Sequence, residues 1–137
     1  MAVIDMQTMR YINLLDRASK VKTRTCFVYN NTIMFAVPKD LVSRALGPDG
    51  LNVRRIQEEL GKRVRIIPEA RDESEVSEFV SKIVSPVGFK SIEVKNGECI
   101  LNAGGQNKAA LIGRNRRRYE ELKTIVKDVF GFDLKII

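Results

Sequence analysis

The 137-residue chain has no histidine and no tryptophan, and only two cysteines, Cys26 and Cys99. Without histidine there is no Ser-His-Asp or Cys-His site, no imidazole general base and no His-ligated metal. The cysteines stand far apart with no C-x-x-C, which excludes a zinc knuckle and a thioredoxin-type motif. They do not make a secreted disulfide framework either, and read as small buried hydrophobes in strands. No apolar run approaches the roughly 18 residues of a membrane span. Asp5, Arg10, Asp16 and Arg17 leave no apolar signal core near the N-terminus. These absences predict a cytoplasmic protein with no membrane partner, no cofactor, no metal and no small-molecule substrate. No nucleophile–base pair can be written from the remaining residues, so the expectation is a binding protein and not an enzyme.

What the chain does have is a globular composition, 44% apolar and 30% charged, with 24 Lys and Arg against 17 Asp and Glu. The resulting net charge of +7 suggests an anionic partner, and nucleic acid is the commonest one.

One pattern runs twice. In the first half, Asp5 is placed to cap a helix carrying Tyr11, Leu14, Leu15 and Ala18 at helical spacing. Residues 23–29 and 32–37 read as strands joined through Asn30-Asn31, which tolerates positive φ. A short helix over 39–46 is broken by Gly47-Pro48-Asp49-Gly50. A second helix over 51–60 ends at Gly61, and residues 63–67 form a third strand. In the second half a helix spans 73–84, behind an acidic lead that suits its N-terminal dipole. Strands at 88–94 and 98–101 meet at Asn96-Gly97. A short helix over 106–112 is interrupted by Gly113-Arg114-Asn115-Arg116. A longer helix then runs to Gly131, and residues 132–137 make the last strand. Leu46-Gly47 matches Ile112-Gly113 at an offset of 66, whereas Leu60-Gly61 and the VRII that follows match Phe130-Gly131 and LKII at an offset of 70. The difference is about one helical turn inserted into the second long helix. The expected domains are 1–69 and 70–137. Each is marginal alone at this size, so the two are expected to pack together.

The helix-G-x-x-G-helix turn carries the functional signal. A turn without side chains lets a nucleic-acid backbone come close, and the N-terminus of the next helix offers N–H groups and a positive dipole end. The first loop has the backbone for this but carries Pro48, which has no N–H, and the negative Asp49. Asp49 is best placed as the N-cap of the helix starting at Leu51. Arg54 and Arg55 read equally as a solvated helix face or as phosphate ligands. In the second copy Arg116 replaces the fourth glycine. Lys108, Arg114, Arg116, Arg117 and Arg118 fall in a stretch without acid until Glu120. Cations at a helix N-terminus cost roughly 0.3–1 kcal/mol each, which invites a compensating anion. Arg116–Glu120 and Arg117–Glu121 are i,i+4 pairs able to neutralise part of this charge. Tyr119 and Phe89 read as core or rim packing, with base stacking as the alternative.

The stretch Ala45-Leu46-Gly47-Pro48-Asp49-Gly50-Leu51-Asn52-Val53-Arg54-Arg55-Ile56 resembles the core of a KH domain, and the α-β-β-α-α-β order resembles its type II form. Two such units in tandem, the second with Ile112-Gly113-Arg114-Asn115-Arg116-Arg117, look like the KH pair of the NusA transcription factors, closest to the short archaeal form. The resemblance covers nearly the whole chain. It implies an α+β protein of two tandem type II KH domains, each with one three-stranded mixed sheet and helices on one face. It implies single-stranded RNA as the partner, a role in transcription termination or antitermination, and RNA polymerase or the elongation complex as a further partner. The implied RNA-binding residues are Gly47, Pro48, Asp49, Gly50, Asn52, Arg54 and Arg55 in the first copy. In the second they are Lys108, Gly113, Arg114, Asn115, Arg116 and Arg117. A KH protein of the ribosome or its assembly, and a KH-fold protein-interaction module with weakened RNA binding, are the alternatives.

Overall fold

In the computed structural model, which describes residues 6–137, each half of the chain builds its sheet from a tight hairpin plus one parallel strand. In the first half β1 (Thr25–Tyr29) pairs antiparallel with β2 (Thr32–Val37), with Tyr29 opposite Thr32. The intervening Asn30 and Asn31 have φ of 50° and 60°, as a two-residue hairpin requires. β3 (Arg63–Pro68) then lies parallel to β2, with Ile33 opposite Val64 and Phe35 opposite Ile66. The second half repeats this with β4 (Ser91–Lys95), β5 (Glu98–Asn102) and β6 (Asp133–Ile136). The order is β4-β5-β6 with the last pair parallel, and the Asn96-Gly97 turn has φ of 52° and 75°.

The protein is thus α+β, with two three-stranded mixed sheets in two compact units that part between Glu69 and Ala70. In the first unit α1 (Met6–Ser19), α2 (Val42–Leu46) and α3 (Leu51–Leu60) supply the helices. Tyr11 and Leu15 of α1, Ala45 of α2 and Ile56 of α3 bury against Ile33, Phe35 and Val37 of β2. Those three alternate along β2, so they share one face of the sheet. In the second unit the helices are α4 (Val76–Val84), α5 (Lys108–Ile112) and α6 (Arg117–Phe130). Phe79 of α4 meets Phe130 of α6 edge-on at 5.6 Å between ring centroids. α3 has 10 residues and α6 has 14, which is the extra turn expected from the shift in repeat offset.

Several boundaries differ from expectation for local reasons. β1 starts at Thr25 and not Thr23, because the Thr23 hydroxyl donates to the Ala36 carbonyl and accepts from the Thr25 N–H, standing in for a ladder rung. Residues 88–90 precede β4, with only the Lys90 N–H continuing toward Asn102 O at 2.8 Å. The helices at 39–46 and 73–84 each open with a turn of 3-10 helix, Lys39–Leu41 and Glu73–Glu75. The second of these turns is capped by Asp72, which accepts the Ser74 N–H at 2.9 Å. α5 begins at Lys108, two residues later than expected, and Phe132 lies outside β6, stacked on Phe130 at 6.1 Å. The expected Asp5 cap of α1 lies outside the described residues.

Candidate nucleic-acid interface

The two helix-turn-helix loops are conformational copies. Gly47 has φ 77° and ψ 174°, and Gly113 has φ 75° and ψ 173°. This region is essentially restricted to glycine. Asp49 and Asn115 follow at φ 53° and 56°, then Gly50 and Arg116 at 72° and 60°. Both loops therefore place two successive left-handed residues directly before the long helix. A Cβ on Gly47 would stand 2.8 Å from Asn52 Cγ, and one on Gly113 would stand 2.8 Å from Arg118 Cγ. A Cβ on Gly50 would meet nothing within 4 Å, so Arg116 at the matching place meets only a conformational penalty.

The same geometry corrects the expected role of Asp49. Gly50, not Asp49, occupies the cap position of α3, and no side-chain hydrogen bond caps that helix. A capping side chain works from an extended backbone at the residue next to the helix. Asp49 is one residue too early and left-handed, and its carboxylate is exposed.

The loops differ in the donors they hold ready. In loop one the Gly47 N–H donates to Ser43 O, the Gly50 N–H to Gly47 O and the Leu51 N–H to Pro48 O. Pro48 has no N–H, so Asp49 alone keeps a backbone donor with no partner among the described residues. In loop two the Gly113, Arg116 and Arg117 N–H groups are used in the same way. Both Arg114 and Asn115 keep theirs. Arg114, Asn115, Arg116 and Arg117 are all exposed. Arg116 stands 4.0 Å from Glu120, an exposed pair of little energetic weight. Loop two thus presents two free backbone donors and three guanidinium groups to solvent.

Charge is displaced between the units. At the loop offset of 66, Arg54 and Arg55 correspond to Glu120 and Glu121. The first unit is neutral to acidic on its loop and basic in the first turns of α3, where both arginines are exposed; the second has the reverse arrangement. Lys108 is exposed at the start of α5.

Asn52 is half-buried, and its amide donates to the Arg44 carbonyl at 3.2 Å. Arg118 does the same to the Ala110 carbonyl, also at 3.2 Å. Each satisfies a last-turn carbonyl of the preceding short helix, which that helix leaves unpaired. Arg118 was not among the candidate site residues, and its five-residue spacing from Gly113, matching Asn52 from Gly47, is the signal that links the two. Tyr119 donates its hydroxyl to the Leu134 carbonyl at 3.0 Å, as rim packing implies. Phe89 is half-buried. Cys99 is buried, with its thiol pushed up to about 11 by desolvation, whereas Cys26 is only half-buried. A separate concavity of about 550 Å³ lies at the far end of α3, with Val28, Asn31, Lys62 and Arg63 in its lining. No helix among the described residues is long and apolar enough to cross a membrane.

A family model for the KH domain matches residues 32–82, from the start of β2 through loop one and β3 into α4. A protein of Halococcus morrhuae named "Probable transcription termination protein NusA" is 25% identical over 128 residues, covering 91% of this chain and 90% of that protein. The chain is thus similar to NusA-like KH proteins. Its fold also matches the crystal structure of a protein called APE1850, with a TM-score of 0.66 and 24% identity over 98% of this chain and 100% of the other. In this chain the KH-matched stretch contains loop one with its fixed first glycine. Loop two lies beyond that stretch, and its likeness to loop one rests on the backbone angles and the shared element order.

Proposed function

We propose that the chain is a NusA-like KH protein that binds single-stranded RNA through two tandem type II KH units, residues 1–69 and 70–137. We further propose that it acts in transcription termination or antitermination in the cytoplasm, in contact with RNA polymerase or the elongation complex. KH folds hold a single strand by its backbone at the G-x-x-G loop. The observation that carries the reading is loop two, where three exposed arginines surround two free N–H groups at the start of a 14-residue helix. Guanidinium groups fork onto phosphate oxygens, and the helix end points its amides the same way. The stretch has little other reason to gather cations where the dipole opposes them. Gly113, Arg114, Asn115, Arg116 and Arg117, with Lys108 beside them, are the main grip. Gly47, Pro48, Asp49, Gly50, Arg54 and Arg55 form a weaker one, in which Asn52 holds the loop in shape. The transcription role is supported by the likeness to the Halococcus protein.

Loop one supports a second reading for the first unit. One free amide and a carboxylate are a poor phosphate site and a fair site for a basic protein segment.

The test is a salt titration of binding to unstructured RNA and to duplex. Preference for the single strand is expected. If about five phosphates are neutralised, the log–log slope lies near −3.5, at roughly −0.7 per contact. Salt-insensitive binding, or equal affinity for duplex, would remove the loop-clamp model.

A further inference from the structure

Tyr119 is held at one end and crowded at its ring. Its hydroxyl is tied to the Leu134 carbonyl, which fixes the ring between α6 and β6. The Arg116 guanidinium carbon stands 5.1 Å from the ring centroid and Lys123 Nζ stands 5.7 Å from it. Both cations are exposed, and Arg116 is held in a left-handed conformation. Tyr119 is half-buried but the cations over it are solvated, and such a contact gains roughly 0.5–1 kcal/mol, little enough to be given up for a phosphate. At the matching position the first unit has Val53, packed against its core. The aromatic ring therefore belongs only to the unit whose loop carries the arginines.

We propose that Tyr119 is the seat on which one nucleobase of bound single-stranded RNA stacks, with Arg116 leaving the ring for a phosphate of the same strand. This rests on the RNA-binding reading above. Asn115, whose N–H is free, lies two residues before α6 and Tyr119 is the third residue of that helix. Loop and ring are therefore near neighbours in the chain, and Arg116 between them already touches the ring. A base on the ring and its phosphate at the loop can then be held together. The anchored hydroxyl means the ring pays little entropy when the base arrives, and stacking accepts any base because every base has a π face.

The test uses the full chain with two probes, an oligoadenylate decamer and an abasic ribose-phosphate decamer. Tyr119→Leu is expected to weaken oligoadenylate binding about tenfold, within the range of one lost stacking contact, and to leave the abasic affinity within about twofold. Tyr119→Phe keeps the ring and should stay within about threefold of the parent on both probes. An equal loss on both probes, or no loss on oligoadenylate, overturns the proposal. Failure of the parent protein to bind either probe overturns the RNA reading itself, and the stacking seat with it. A second measurement does not depend on the leucine variant folding. The chain has no tryptophan and three tyrosines. With Tyr11→Phe and Tyr29→Phe, Tyr119 is the sole emitter. Its fluorescence should be quenched by oligoadenylate and not by the abasic decamer; identical responses to the two would overturn the stacking seat.

Discussion

Asn52 and Arg118 do the same work in the two units. Each lies five residues after the first loop glycine, closes over it, and donates at 3.2 Å to the carbonyl three residues before it. An amide in one unit and a guanidinium in the other thus lock the same backbone turn. The lock makes Gly47 and Gly113 irreplaceable for two separate reasons, their backbone angles and the side chain lying on them.

Gly47→Ala is therefore expected to destabilise the protein by about 2–4 kcal/mol, from strain of 1–3 kcal/mol at this backbone region plus displacement of Asn52. Gly50→Ala, with open space around it, should cost only about 1 kcal/mol. Urea melts of the two variants test the order. Equal costs would show that the closed lock contributes nothing.

The arginines of loop two serve binding more than folding. Changing Arg114, Arg116 and Arg117 together to Gln should lower affinity for unstructured RNA at least about tenfold, since each lost phosphate contact also lowers the salt slope by roughly 0.7. The melting temperature should hold or rise, because the dipole penalty and mutual repulsion disappear while helix propensity is kept. Arg116→Gly sharpens the point. It relieves a left-handed cost of about 1–2 kcal/mol and loses a cation–π contact of roughly 0.5–1 kcal/mol. Stability should not fall, yet binding should weaken. A drop in stability with unchanged affinity would mean these arginines hold the fold through Glu120.

Asp49→Lys should strengthen RNA binding and steepen the salt slope by about 0.7, one added phosphate contact on a single strand. No helix cap is lost, since Asp49 makes none. The stability cost is confined to the left-handed backbone, which Asp tolerates better than Lys. Asp49→Asn removes the charge and keeps that tolerance, so it should raise affinity at no cost in stability. If neither variant changes affinity in paired isotherms and melts, loop one is a structural turn and takes no part in gripping RNA.

The Glu69 carboxyl is raised above its ordinary value, mainly by desolvation and secondarily by the Asp40 charge. The folded state then holds this proton more tightly than the unfolded chain. Stability contributed by Glu69 falls as pH rises from the ordinary glutamate range through the raised value, and stays lower above it. Glu69→Gln should accordingly be more stable than the parent at neutral pH. The gap should close as pH falls through the acid range. Melts of both proteins across pH 3–7 check this, and a gap that widened toward acid would reverse the assigned direction.

Local chemistry determined most of the architecture before any packing was known. Asn30-Asn31 and Asn96-Gly97 specify two-residue hairpins because few other residues accept positive φ in succession. Runs of β-branched and aromatic residues marked the first two strands, and the shift in repeat offset measured the extra turn of α6. The two loops and their charges were legible for the same reason, since glycine and arginine mark themselves. Tertiary structure alone decided what each loop atom does. Asp49 loses the cap because its own φ is left-handed, which a capping preference averaged over many proteins does not contain. Asn52 turns inward and Arg118 joins it, although one resembled a ligand and the other an ordinary cation, because an unpaired carbonyl lies eight residues back in the chain and close in space. The Tyr119 ring receives Arg116 and Lys123 only once its hydroxyl is tied to β6, a strand that begins fourteen residues later. Pattern and propensity act over a few neighbouring residues; hydrogen-bond partners and ring contacts are set by the fold that brings distant residues together.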